Sequence, residues 1–232
     1  MITIVFSPFQ TFISSASSSA STEVSKFVSF RDLSNENEEL KNKVNLLEQK
    51  VVELKVYIEE NELLLKQNKY LESQGFNFLN ARVISHSAEN NPNLLIINRG
   101  ESHGIKIGMA VVIEQGSLVG QIKKIEAQTS HVLLLVDNNF RLSASVAGES
   151  EIAGLVEGQN NISLSLNEIL KNSEIKPGDL IVTSGFDENI PAGLLIGEIE
   201  EIVDLQGELF KSAKINLPVS LSNLRIVSVI MP

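Results

Sequence analysis

Several residue types are missing or scarce in this chain, and each absence narrows its possible functions. Cysteine is absent, which excludes disulfides, thiolate metal sites and a cysteine nucleophile. Tryptophan is absent too, and aromatic residues are only 5% of the chain, so a core must be built mainly from Ile, Leu and Val. The formal net charge is −10, and no cluster of Lys and Arg is present to bind phosphates. The composition therefore argues against a nucleic-acid partner.

A long apolar run is also missing. The first residues, MITIVFSPFQTFI, are apolar, but Pro8 interrupts them, and the run is far below the ~20 residues that a membrane-spanning helix requires. The stretch SSASSSAS that follows predicts a flexible linker, so residues 1–30 are assigned as a membrane-proximal stump and a Ser-rich linker. Two interpretations stay open: a start with no targeting role, or the end of a transmembrane helix whose first part lies outside this chain. A signal peptide is disfavoured, because the start lacks a positively charged region.

A heptad pattern follows the linker and predicts a coiled-coil helix over residues 31–75. Leu occupies the d positions and Val or Ile the a positions, a choice that favours two parallel helices and hence a homodimer. Ser34 is the candidate N-cap and Gly75 the candidate C′ residue. The alternative is an amphipathic helix that packs on its own domain. The seam consists of Leu40, Val44, Leu47, Val51, Leu54 and Ile58.

The helical period disappears after Gly75, and short aliphatic runs separated by turn signals replace it. About a dozen such runs, with turns roughly every 8–12 residues, are typical of all-β barrels or sandwiches. One plan is used twice, in GIKIGMAVVIEQGSLVGQIKKIE and in EIKPGDLIVTSGFDENIPAGLLIGEIEEIV, which indicates two related β modules. Pro177 and Gly178 fit the central positions of a type II turn. Gly120 and Gly197 lie inside strands, where glycine marks a sharp bend or a close backbone approach.

Four segments carry a resemblance to a known family. They are NLLIINRGESHGIKIGMAVVIEQGSLVGQI, SHVLLLVDNNFRLSASV, IKPGDLIVTSGFDENIPAGLLIGEIEEI and LSNLRIVSVIM, in this order after a heptad helix. The chain resembles the rod shape-determining protein MreC family over nearly its whole length. The resemblance implies a mainly β fold with a long N-terminal helix: a coiled coil followed by two small six-stranded β-barrels. We expect the barrels at 81–147 and 148–232, with the last strand a candidate to return to the first barrel because an unpaired edge is unfavourable.

The resemblance also implies a function and a location. Members of the family are single-pass proteins of the bacterial inner membrane, with the coiled coil and the barrels in the periplasm or outside the membrane. They scaffold the cell-wall elongation machinery and so form and maintain rod shape. The implied partners are a class B penicillin-binding transpeptidase, the membrane protein MreD and the actin-like MreB machinery. Only Met1–Phe6 of the family's transmembrane helix is present in this chain, which favours a fragment or a mis-assigned start.

Catalytic and cofactor functions receive little support. His131, Asp137 and Ser184 occur in chymotrypsin-like order, but Ser184 lies in TSGFD rather than in a nucleophile turn, and no oxyanion loop follows. The three histidines lack metal-ligand spacing. We therefore expect no catalytic residues, no metal and no cofactor. The alternative function is a periplasmic adaptor that combines a coiled coil with β modules, but adaptors place a helical hairpin inside a β domain, whereas here one helix precedes all strands.

Overall fold

A computed structural model describes residues 9–86, 93–160, 162–204 and 207–231, with side chains from residue 33 onward in these ranges. The chain divides into two compact units, Met1–Glu59 and Glu60–Pro232. Within these described ranges, one helix is followed by twelve strands, so the predicted class, mainly β with a long N-terminal helix, is confirmed.

The helix α1 spans Phe9–Ser73 and begins earlier than the sequence predicted. The Ser-rich stretch assigned to a linker is helical, and Ser34 is inside the helix rather than at its start. The physical reason is that no Pro or Gly occurs between the two ends, and extending a helix through Ala and Ser costs little once it has nucleated. Gly75, with φ +74°, occupies C′ of a Schellman motif, in which Phe76 N–H donates to the Leu71 carbonyl at 3.1 Å.

The strands are short and antiparallel to most of their neighbours. A single turn of 3₁₀ helix, Glu101–His103, lies between the second and third strands. The strands are β1 (Asn77–His86), β2 (Leu94–Ile97), β3 (Ala110–Ile113), β4 (Ser117–Ile125), β5 (Ser130–Leu134), β6 (Arg141–Val146), β7 (Gly154–Gln159), β8 (Ser163–Leu170), β9 (Leu180–Thr183), β10 (Leu195–Val203), β11 (Phe210–Asn216) and β12 (Ile226–Met231).

The first barrel has the strand order β4-β3-β12-β1-β2-β5 and closes where β4 pairs with β5. Its last strand comes from far along the chain. β12 lies between β1 and β3, with Asn80 opposite Ser228 on one side and Val112 opposite Ser228 on the other. Five strands from the first part of the β region therefore need the distant sixth to close.

The second barrel has the order β11-β8-β7-β6-β9-β10 and closes where β10 pairs with β11. The predicted boundary at 147/148 is wrong in one respect: β6, assigned to the first barrel, pairs with β7 and β9 of the second. The alternation of Leu142, Ala144 and Val146 marks a strand and a buried face but does not select the neighbouring strand. The boundary therefore lies in the segment between β5 and β6.

Close backbone approach explains the two strand glycines. A Cβ on Gly120 would collide with the carbonyl oxygen of Leu133 on β5, and one on Gly197 with the carbonyl oxygen of Asn216 on β11. In each barrel the two strands that close the sheet approach each other closely at a glycine: Gly120 between β4 and β5, and Gly197 between β10 and β11. The turn before β9 has Gly178 at φ +93°, and the Asp179 amide donates to the Lys176 carbonyl at 3.2 Å.

The core is aliphatic. Phe140 is the largest fully buried side chain, and the other large buried side chains are Leu, Ile and Met. The scarcity of aromatic residues in the sequence is thus matched by a core in which branched aliphatic side chains fill both barrels.

Candidate interaction surfaces

The seam residues of α1 form an exposed apolar stripe. Each of the six side chains is at least 50% exposed in the single chain. An aliphatic stripe of this kind is the surface that a partner helix covers in a coiled coil. Lys43 forms an exposed ion pair with Glu39, one turn earlier, at 2.7 Å. Such a pair contributes little by itself, so apolar burial would dominate any association along this stripe. The stripe is Leu40, Val44, Leu47, Val51, Leu54 and Ile58.

The last turns of α1 are held to the first barrel by four hydrogen-bonded polar residues, which we name the polar clamp: the buried Gln67 and Ser228 and the half-buried Asn68 and Asn80. Gln67 Nε2 donates to Ser228 Oγ at 2.7 Å and to the Val112 carbonyl at 3.3 Å. Ser228 Oγ donates to Asn80 Oδ1 at 2.6 Å, and Asn80 Nδ2 donates to Asn68 Oδ1 at 2.9 Å. The clamp therefore joins α1, β1 and β12 through side chains whose polar groups satisfy one another.

A second contact of the same helical turns involves the loop between β3 and β4. Leu71 is fully buried in the core. A Cβ on Gly116 would come within 2.7 Å of the Tyr70 ring, so the ring lies directly against this turn. On the barrel side, Leu195 N–H donates to the Gly116 carbonyl at 3.2 Å. The turn between β3 and β4, which belongs to the first barrel, thus contacts both the end of α1 and the second barrel within the unit Glu60–Pro232.

Sequence reasoning missed Gln67, although a signal was present. Gln67 follows Leu64 by three residues and precedes Leu71 by four, so it lies on the continuing apolar face of the helix. A polar residue at such a position is buried only where a partner satisfies it. The partner, Ser228, is 161 positions away, and nothing in the local pattern identifies it.

Exposed apolar side chains also occur on the second barrel. The most exposed are Leu209 (83%), Ile162 (81%) and Phe186 (79%). Phe186 differs from the others because it is aromatic in a chain with few aromatic residues, and because it lies in a turn of small and acidic residues, SGFDE. The sequence alone favours a structural role for the TSGF segment, with a binding surface as the alternative.

The structure places the three residues of the protease alternative with separate partners. Ser184 Oγ donates to the Ser143 carbonyl at 3.0 Å. His131 Nε2 is 3.4 Å from Glu126 Oε1. The carboxylate of Asp137 accepts from the Asn139 amide at 2.8 Å. None of these three contacts joins two of the residues His131, Asp137 and Ser184.

Local charge pairs shift two pKa values. The pKa of Glu126 is lowered from 4.5 to about 2, first by the hydrogen bond from Lys124 at 2.9 Å and then by the one from Thr129 at 3.0 Å. In the second barrel, the hydrogen bond to Glu200, and then its charge, raise the pKa of Lys214. Both groups lie at the surface, where they order loops and strands rather than create a reactive centre.

Two features of the described residues bear on metal binding and on membrane insertion. Among the residues that the structure describes, no group of three or more His, Asp or Glu side chains is arranged to hold a metal ion. Within the same ranges, no helix combines the length and the apolar character needed to cross a membrane.

Comparisons with known proteins agree with one another. The model of the family described as rod shape-determining protein MreC, barrel core, matches residues 83–231. The cell shape-determining protein MreC of Bacillus subtilis (strain 168) is 32% identical over 218 residues, which cover 88% of this chain and 75% of the relative.

Solved structures resemble this one as well. An MreC structure from Listeria monocytogenes has a TM-score of 0.61 and 31% identity, and the match covers 84% of this chain and 95% of that one. Another solved structure is a complex between penicillin-binding protein PBP2 and MreC from Helicobacter pylori. Its TM-score is 0.55 at 20% identity, with 67% of this chain and 98% of that chain covered, a likeness that shows the fold.

Proposed function

This chain belongs to the MreC family of rod shape-determining proteins, and on this basis we propose that it is a non-enzymatic scaffold of the bacterial cell-wall elongation machinery. In this role it forms and maintains rod cell shape by holding other proteins in position rather than by transforming a substrate. The element order supports the scaffold over the adaptor alternative, since α1 precedes every described strand instead of interrupting a β domain.

The observation that carries the proposal is the exposed seam of α1. Six aliphatic side chains at heptad spacing, each at least half exposed, are unfavourable in water and become favourable when a second copy covers them. The scaffold thus self-associates as a homodimer through Leu40, Val44, Leu47, Val51, Leu54 and Ile58. A dimer displays its barrels twice, which raises avidity for partners that are themselves clustered.

The partners follow from the family. A class B penicillin-binding transpeptidase is the first, supported by the Helicobacter pylori relative that forms a complex with PBP2. MreD and the actin-like MreB machinery are the others, proposed from the family resemblance alone. On the same resemblance we propose a single-pass protein of the bacterial inner membrane, with the barrels in the periplasm or outside the membrane.

Depletion in the source organism tests this function. Cells that lose the protein should change from rods to spheres, and an ectopic wild-type copy should restore rods. A copy with Leu47→Asp, produced at the same level, should fail to do so. Cells that remain rods after complete depletion would rule out the shape function, and full rescue by the Leu47→Asp copy would rule out the role of the seam.

A further inference from the structure

The loop between β9 and β10, residues 184–194, presents Phe186 to solvent. Its side chain is 79% exposed, although an aromatic ring is among the side chains that gain most from burial. Single exposed apolar residues are common on protein surfaces. The hydrogen bonds of the loop decide whether the ring moves freely or is held in place.

The first half of the loop is fixed to β6. The Ser184 amide and the Ser184 hydroxyl both donate hydrogen bonds to the Ser143 carbonyl, at 3.2 and 3.0 Å. The Phe186 amide donates to Ser184 Oγ at 3.3 Å, and the Ser143 amide donates to Asp187 Oδ2, also at 3.3 Å. The residues on both sides of Phe186 are therefore bonded to the same position on a barrel strand.

The second half of the loop is fixed at two more places. Thr183 Oγ1 donates to the Pro191 carbonyl at 2.5 Å and accepts from the Leu194 amide at 3.0 Å. Asn189 Nδ2 donates to the carbonyl of Ile107, in the first barrel, at 3.0 Å. Ile107 is itself 60% exposed. Phe186 is thus the exposed tip of a loop that both barrels hold in one conformation.

We propose that Phe186 is an anchor residue that inserts into an apolar socket on the transpeptidase partner. The inference rests on the proposed function, because it assigns a surface to that partner. A side chain already held in its bound geometry loses little conformational freedom on binding, so a pre-organised loop gives more affinity than a mobile one. Aromatic residues in this situation are typical hot spots of protein interfaces.

Charge indicates the chemistry of the socket and disfavours a second copy as its occupant. Residues 141–216 contain 13 Asp and Glu against 5 Lys and Arg, a net charge of −8 out of −10 for the chain. Asp187 and Glu188 directly follow the ring in sequence. A second copy would bring one strongly acidic barrel against another. A partner whose socket is rimmed by Lys and Arg would instead complement the loop and steer the encounter.

Binding to the purified extracytoplasmic region of the class B transpeptidase from the same organism tests the anchor. With the full chain immobilised, Phe186→Ala should weaken Kd by about thirtyfold or more, the loss typical of a hot spot. Phe186→Leu, which keeps an apolar side chain, should recover part of the affinity. Raising the salt concentration from about 0.1 to about 0.5 M should weaken wild-type binding, because the exposed Glu188 and half-buried Asp187 lie beside the ring and their charges are screened by salt.

The matched control is Leu209→Ala. Leu209 is as exposed as Phe186 and lies on the same barrel, but beyond the other end of β10, whose length separates the two loops by roughly 26 Å. Its Kd should stay within about twofold of the wild-type value, since residues outside a hot spot contribute little. Circular dichroism should show all variants folded, because neither ring nor aliphatic side chain contributes to the core.

Each alternative result has a distinct meaning. If the wild-type chain binds and Phe186→Ala binds equally well, the anchor is wrong while the proposed partner stands. If the wild-type chain does not bind the transpeptidase, the proposed partner fails and the anchor fails with it. If Phe186→Ala instead changes the sedimentation of the chain alone, the ring contacts a second copy and the inference is overturned.

Discussion

Replacing Gln67 by Ala should weaken the attachment of the end of α1 to the first barrel. Gln67 is 4% exposed and donates two hydrogen bonds, to Ser228 Oγ and to the Val112 carbonyl. Removing a partner from a buried polar group costs about 1–3 kcal/mol. The side-chain methylene lost with the amide adds about 0.8 kcal/mol of burial. We expect the free energy of unfolding to fall by about 2–4 kcal/mol in total.

The measurement is urea unfolding of the full chain, followed by circular dichroism, together with amide hydrogen exchange. The unfolding midpoint should fall with little change in slope, since the native fold stays compact. Amides of residues 60–73 should lose protection before those of β12, because the helix end is released locally. Lys69→Ala is the control: its side chain is exposed in the same turns, and its effect should stay within about 0.5 kcal/mol.

A double-mutant cycle isolates the hydrogen bond itself. Gln67→Ala and Ser228→Ala remove the two ends of the 2.7 Å contact, so their effects should be non-additive by about 0.5–3 kcal/mol. Additive effects would show that the two side chains act independently. A Gln67→Ala chain as stable as the Lys69→Ala control would refute the polar clamp as a stabilising feature.

Three further predictions concern the helix, a barrel closure and pH. Leu47→Asp would bury two like charges in the seam, so it should convert a dimer to a monomer in sedimentation while the β circular dichroism signal is retained. Gln49→Asp lies off the seam and should sediment as the wild type. Equal sedimentation of both variants would contradict the coiled coil. Gly120→Ala should destabilise the chain by about 1–3 kcal/mol in urea unfolding, because the new methyl group meets the Leu133 carbonyl. Ionised Glu126 stabilises the fold above its unfolded pKa of 4.5, and this contribution is lost as the pH falls to its folded pKa of about 2. Glu126→Gln should therefore make the free energy of unfolding less dependent on pH in this range, and an unchanged pH dependence would contradict the lowered pKa of Glu126.

Local patterns in the sequence were sufficient where local physics determines the structure. The alternation in RLSASV identifies β6, and that of Leu164 and Leu166 identifies β8, because side chains of period two face one core. Ile162 continues the alternation in sequence, but it precedes β8 and is exposed. Gly75 ends the helix, because a residue at φ +74° is most easily a glycine. The sequence predicts a sharp bend or a close backbone approach at Gly120 and Gly197, and in each case a carbonyl of the neighbouring strand occupies the space of a side chain.

Long-range pairing could not be predicted in the same way. The sequence shows that β6 is a strand but not that its neighbours are β7 and β9, since each barrel offers equivalent backbone donors and acceptors. The polar clamp joins residues 161 positions apart, and no local signal identifies a distant serine as a partner. The rigidity of the Phe186 loop likewise depends on Ser143 and Ile107, which are distant in sequence.

The position of β12 has a consequence for synthesis on the ribosome. All strands of the second barrel, β6 to β11, leave the ribosome before Ile226–Met231, so this barrel has its complete set of hydrogen-bonding partners first. The first barrel has been translated up to β5 by then, yet the gap between β1 and β3 stays open. Translation at about 5–20 residues per second keeps that gap exposed for several seconds, while the second barrel and the linker to β12 are made. The later barrel in the sequence is thus the first to have all its strands, and the earlier-made barrel is the one whose open edge a chaperone would bind.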